Sequence, residues 1–196
     1  MRLLRRAYFD AVNDVITRSA TSILVDKMPF NLLHVGLLLR VFPRARIIRA
    51  LRHPANVALS NFKQNYEEPH SALLFSKLPQ IIDLSDKFDQ LWVAQINGNA
   101  SRTMTVKFED LVTETARTTA GVFKFLGESD ALLDDNARRE HAREKLNRVT
   151  PNYSSITAPL DNRNSSQWRN YSAQFAPYLD RLFKLAAAQG YSDDST

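Results

Sequence analysis

Apolar residues recur at three- and four-residue intervals over residues 2–18, at Leu4, Tyr8, Val12 and Val15, which places them on one helical face. "TSILV", residues 21–25, is a short β-branched run that reads as a buried strand ending at Asp26-Lys27. Pro29 then stands at a natural first-turn position, and "FNLLHVGLLLRVF" is a strongly apolar helix stopped by Pro43. "ARIIRALR" predicts a second strand, and Pro54 opens a helix running to about Tyr66. Two strands joined by one helix form a βαβ unit, which requires parallel pairing.

Beyond "EEPH" the helical period returns from about Ala72 to Ile96, with Leu84, Phe88, Leu91 and Ile96 on one face. "NGNAS" is a turn and "RTMTVKF" a third strand. "EDLVTETARTTAGVFKFLG" is a helix closed by Gly127. A charged helix over 134–146 leads into the irregular "VTPNYSSITAPLDNRNSSQW", and a last amphipathic helix spans about Ala173 to Gln189, ending at Gly190. No repeat interrupts the order, so residues 1–196 read as one α/β domain with a small parallel sheet.

Composition narrows the function. The chain of 196 residues is 44% hydrophobic and 24% charged, which suits one globular domain with a core. The net charge of +5 favours anionic partners, yet the basic residues are scattered apart from Arg5-Arg6 and Arg138-Arg139, which disfavours a nucleic-acid surface. With no cysteine there is no disulfide framework, thiolate metal site or cysteine nucleophile, and the four histidines show no metal-ligand spacing. No apolar run reaches the roughly 18 residues of a membrane span. "MRLLRRAYFDAV" is Arg-rich like a transit peptide, but Asp10 and Asp14 favour a lead-in helix, and a cytoplasmic location is expected.

Ligands of open parallel sheets bind beyond the carboxyl ends of the strands, where this reading puts Lys27 and Arg52. Arg52 precedes the helix opened by Pro54, whose free N–H groups add positive potential. Ser60, eight residues on, offers a hydroxyl about two turns along it. Such a set suits a phosphate dianion; the alternative is that Arg52 meets surface carboxylates and Ser60 faces solvent. Lys27 is a point charge suited to a transferred group or bridging oxygen, or else an ordinary lysine paired with Asp26. His34 reads as a hydrogen-bonded packing residue and His53 as a cap or spacer. Glu109-Asp110 complements a helix dipole, and Trp92 and Trp168 are packing anchors.

"DKMPFNLLHVGLLLRVFPRARIIRALRHPANVALSNFKQNY" resembles the core of the sulfotransferases that often follow tetratricopeptide repeats, relatives of the protein-tyrosine sulfotransferases. Lys-x-Pro, an apolar helix, and Arg-x-Pro with a serine eight residues after the arginine occur in order. "VKFEDLV" is similar to the family's Tyr-Glu-Asp-Leu segment, and "VTPNYSSITAPLDNRNSSQWRNY" to its donor-covering loop. The resemblance covers about residues 7–185. It implies a P-loop-type α/β fold that binds 3′-phosphoadenosine-5′-phosphosulfate, without a metal, and transfers its sulfuryl group to a hydroxyl or amine acceptor. By that match Arg52 and Ser60 hold the donor's 3′-phosphate, and Lys27 meets the sulfuryl group and bridging oxygen. Phe108, at the family's tyrosine position, belongs to the donor site, while the Asn152–Asp161 segment, with Asn152 and Ser155, folds over the nucleotide.

Departures from the pattern carry their own expectations. The family's Pro-Arg-Ser-Gly-Thr-Thr phosphosulfate loop belongs upstream of Lys27, yet no glycine occurs before Gly36, and the general-base carboxylate that follows that loop is missing with it. Phe108 lacks the tyrosine hydroxyl, Gln167 stands where Lys or Arg is common, and Ala158 replaces a polar or basic residue. The chain accordingly reads as an N-terminally truncated sulfotransferase domain with little activity alone. Three accounts compete: a fragment of a full enzyme, a degenerate anion-binding or interaction domain, and one half of a site completed by a partner chain. A basic nucleic-acid-binding module is the alternative from another class. Apolar surface left uncovered is expected to favour self-association.

Overall fold

The computed structural model describes residues 1–17, 23–64, 66–129 and 166–192. Its regular elements are α1 (Arg2–Val15), α2 (Val35–Val41), β1 (Ile47–Leu51), α3 (Pro54–Lys63), α4 (Pro69–Leu74) and α5 (Leu78–Ile96). They continue with β2 (Thr103–Lys107), α6 (Phe108–Thr113), α7 (Thr115–Leu126), α8 (Ser172–Phe175) and α9 (Leu179–Ala188). β1 and β2 pair in parallel as a two-stranded sheet, so the described residues form a helix-rich α/β fold. A parallel pair needs a long crossover, and α3, α4 and α5 supply it.

The residues group into two compact units, Met1–Arg49 with Lys87–Met104 and Ala50–Asp86 with Thr105–Thr196. In the first, Val35, Leu39 and Trp92 form a buried cluster flanked by Leu32, Ile47 and Ile96. Gln95 ties the entry of α2 to α5: its side-chain oxygen accepts from the Gly36 N–H at 2.8 Å, and its amide donates to the Leu32 carbonyl at 2.9 Å. Arg102 closes the other end of α2 by donating to the Leu39 carbonyl, which the helix C-terminus leaves unsatisfied, and to the Pro43 carbonyl just beyond it. Arg49 donates to Asp89 at 2.9 Å and lies over the Trp92 ring, 5.4 Å from its centroid. α1 buries no residue fully; Tyr8 and Phe9 meet Phe42 edge-on, and the Arg5 guanidinium donates to the Val41 carbonyl. Leu3, Leu4, Val15, Val25 and Met28 are exposed, so apolar surface is open in this unit, as expected.

The second unit has the larger core, with Ala55, Ala58 and Leu59 of α3, Ile81 and Ile82 of α5, Trp168, Phe175 and Leu182. Asp83 and Asp86 both accept from Arg181 on α9. α7 ends on Gly127 in the left-handed region, and α9 ends the same way on Gly190. There the Gly190 N–H bonds to the Ala187 carbonyl and the Tyr191 N–H to the Ala186 carbonyl, the paired closure that a left-handed glycine permits.

Several sequence expectations need correction. Residues 23–28 form no strand, while 21 and 22 lie outside the described residues, so Lys27 does not stand at a strand end. Ile23 and Val25 are 54% and 79% exposed, and a β-branched run without a partner strand and a surface to pack on gains nothing from extension. The helix expected after Pro29 begins as a 3₁₀ turn, Pro29–His34, before α2. The helix expected over 72–96 is divided into α4 and α5, and the one after β2 into α6 and α7 at Glu114. The last helix is interrupted by a 3₁₀ turn, Ala176–Tyr178, where Pro177 supplies no N–H for an α-helical bond. The charged helix expected over 134–146 falls outside the described residues.

Candidate functional site

The strongest constellation lies in the second unit, where β1 and β2 end. Arg52 follows the last residue of β1, and Phe108 follows the last residue of β2. Because the strands are parallel, both ends are carboxyl ends, the edge at which open sheets bind ligands. The Arg52 guanidinium lies over the Phe108 ring, 5.1 Å from its centroid. Burial, partly offset by the Glu109 charge, lowers the Arg52 pKa, and an arginine so shifted remains cationic.

His53 is the N-cap of α3. Its Nδ1 accepts from the Ala55 N–H at 3.3 Å, which leaves the ring proton on Nε2. The side chain is 2% exposed, and Nε2 has no hydrogen-bond partner among the described residues. Trp168 stacks parallel to the imidazole at 5.9 Å, and Tyr191 meets it edge-on at 5.4 Å. Burial pushes the His53 pKa down, the Glu109 charge opposes this, and Arg169 adds to it.

Glu109, in the first turn of α6, joins these groups. One carboxylate oxygen accepts from the His53 backbone N–H and the other from the Tyr191 hydroxyl, both at 2.9 Å. Burial first, then the Glu109 charge, raises the Tyr191 pKa, so the hydroxyl stays protonated and donates. Lys107 lies over the Tyr191 ring at 4.4 Å and donates to the Gly190 carbonyl; Arg169 lies over the Trp168 ring at 5.3 Å. Three cations are thus each held on an aromatic face, whereas the first N–H groups of α3 are already taken, Ala55 donating to His53 Nδ1 and Asn56 and Val57 to the His53 carbonyl, so the free N–H groups expected from sequence are not there. Cations gathered in one unit suit an anionic ligand.

Of the residues singled out from sequence, the structure brings Arg52 and Phe108 together. Ser60 is exposed on α3, and its hydroxyl makes no hydrogen bond with another described residue. Lys27, in the first unit, is exposed and unpaired among the described residues; its neighbour Asp26 instead accepts from Tyr8 at 2.9 Å and Asn31 at 3.2 Å. Asn152 and Ser155 lie outside the described residues. His34 is exposed, against the expectation of a packing residue, whereas Trp92 and Trp168 are buried as expected. Sequence reasoning gave Glu109 only a dipole role and passed over Tyr191 and Lys107. "AAAQGY" was the available signal, since a helix-ending glycine delivers the next residue back against the fold.

Comparison with known proteins identifies the family. A model described as the sulfotransferase family matches residues 1–131. An uncharacterized protein of Aquifex aeolicus (strain VF5) is 34% identical over 73 residues, 37% of this chain and 8% of that protein's length. The matched residues include both strands, Arg52 and the Phe108-Glu109 pair. The chain belongs to the sulfotransferase family.

Proposed function

We propose that the chain contributes the donor-binding part of a sulfotransferase that takes 3′-phosphoadenosine-5′-phosphosulfate and passes its sulfuryl group to a hydroxyl or amine acceptor. The observation that carries the reading is Arg52, held over Phe108 at the carboxyl ends of the parallel strands. A buried histidine nitrogen without a described partner and three ring-stacked cations fit an anionic ligand. Arg52, with Ser60 further along α3, meets the 3′-phosphate, and Phe108 borders the nucleotide. Asn152 and Ser155 belong to the segment that covers it.

Transfer forms a bond from the acceptor oxygen or nitrogen to sulfur, breaks the bond from sulfur to the phosphate oxygen, and releases the acceptor's proton. Charge grows on the leaving phosphate, and Lys27, exposed and unpaired among the described residues, is the residue proposed to offset it. No glycine precedes Gly36, so these residues hold no glycine-built cradle for the 5′-phosphosulfate ahead of Lys27. Binding without robust turnover is therefore expected of the 196-residue chain by itself. The likeness to the repeat-associated branch rests on the ordered Lys-x-Pro and Arg-x-Pro segments.

Titration with adenosine 3′,5′-bisphosphate tests the reading. Arg52→Ala is expected to weaken binding about 10- to 100-fold, the loss of a charge-assisted contact. Equal affinity in both proteins, or an effect confined to single-stranded oligonucleotides, refutes it in favour of another anion. Fast consumption of labelled donor by the unmodified chain would contradict the expectation of weak turnover.

A further inference from the structure

We propose that Tyr191 is a positioning residue for the donor phosphate, acting through Glu109 on the Arg52-His53 turn; the proposal rests on the donor reading above. Tyr191 lies 82 residues beyond Glu109 and outside the family-matched residues 1–131. It nevertheless meets the ends of both strands. Its hydroxyl donates to Glu109, its ring edge meets His53, and its face carries the Lys107 ammonium.

The direction of the Arg52 side chain is set by its backbone, and the next peptide N–H, that of His53, is held by one Glu109 oxygen at 2.9 Å. A glutamate has three side-chain torsions, so its grip on a backbone N–H depends on what restrains the carboxylate. The other oxygen receives the Tyr191 hydroxyl, also at 2.9 Å, and Tyr191 is 8% exposed. Tyr191 is in turn delivered by the closure of α9, where Gly190 adopts φ 76° and its carbonyl accepts from Lys107. The contacts run from the end of α9 through Tyr191 and Glu109 to the peptide behind Arg52. A tyrosine that only filled space would need no hydroxyl aimed at this carboxylate.

The test is a binding cycle read with two probes, adenosine 3′,5′-bisphosphate and adenosine 5′-monophosphate. It uses the full chain, Tyr191→Phe, Glu109→Gln, Arg52→Ala and the Tyr191→Phe/Arg52→Ala double variant. Tyr191→Phe is expected to weaken the bisphosphate about tenfold, the worth of one net hydrogen bond. It should leave the monophosphate unchanged and add nothing once Arg52 is alanine, because the two residues act in series. Equal weakening of both probes, full additivity, or no change overturns the positioning role. If Arg52→Ala weakens the bisphosphate while Tyr191→Phe does not, the positioning role alone falls. If Arg52→Ala has no effect, the donor reading falls and takes this proposal with it. Should Tyr191→Phe lose its cooperative melt, Glu109→Gln supplies the same comparison with a side chain of matching size.

Discussion

Replacing Asp89 by alanine removes the Arg49–Asp89 ion pair, whose gross worth follows from its geometry. Asp89 and Arg49 approach to 2.9 Å with side chains 14% and 11% exposed, and the Arg49 guanidinium covers the Trp92 ring. At an effective dielectric of about 20, charges this close attract by roughly 6 kcal/mol, a gross figure from which the desolvation of both groups is subtracted. Removing the aspartate leaves the cation little exposed and without its close carboxylate, a change that costs about 3–5 kcal/mol. Because some water still reaches the pair, the lower end applies, and for a chain of this size about 3 kcal/mol lowers the melting temperature by roughly 6–12 °C. The double variant Arg49→Met/Asp89→Leu removes both charges and should recover most of that loss. Urea denaturation followed by Trp92 fluorescence in a Trp168→Phe background reads this unit, since the chain has two tryptophans. An Asp89→Ala midpoint within about 0.5 kcal/mol of the parent would show that the pair behaves like an exposed surface contact and refute the reasoning.

Two further predictions concern the candidate site. Gly190→Ala forces a β-carbon into the left-handed region at φ 76°, where it also meets the Lys107 ammonium at 3.5 Å. The expected cost is about 1–2 kcal/mol, measured as a melting temperature roughly 2–8 °C lower. Burial sets the His53 pKa below 6.5, so the unfolded chain takes up this proton more readily than the folded one. The corresponding stability is complete above pH 6.5 and is lost as the pH falls below it; His53→Asn, which keeps a cap for α3, should flatten the decline from pH 7 to pH 5 in denaturant melts. Parallel pH profiles for parent and variant would contradict this.

Much of the helical fold was legible in the sequence because its signals are local. The apolar period over α1 and α5, Pro54 at the start of α3, and the glycines closing α7 and α9 each act within a turn or two of the chain. The ordered Lys-x-Pro and Arg-x-Pro segments also placed the chain in its family and put Arg52 at the carboxyl end of a strand. Breaks inside helices were less visible, since Glu114 carries no breaker chemistry of its own.

Strand content and site partners were decided by tertiary structure. Ile23, Leu24 and Val25 have the composition of a strand, yet a strand exists only where a neighbour takes its hydrogen bonds, and the described pairing is between β1 and β2. In the same way, Arg52 announced a cation, but no local pattern says that Phe108 holds it or that Glu109 grips the following peptide. Least readable of all was the Tyr191 hydroxyl, which closes that arrangement from 82 residues away. Local chemistry determined the helix ends marked by proline or glycine, and each cation; the parallel strand pair and the packing of α9 determined which groups those cations and carboxylates meet.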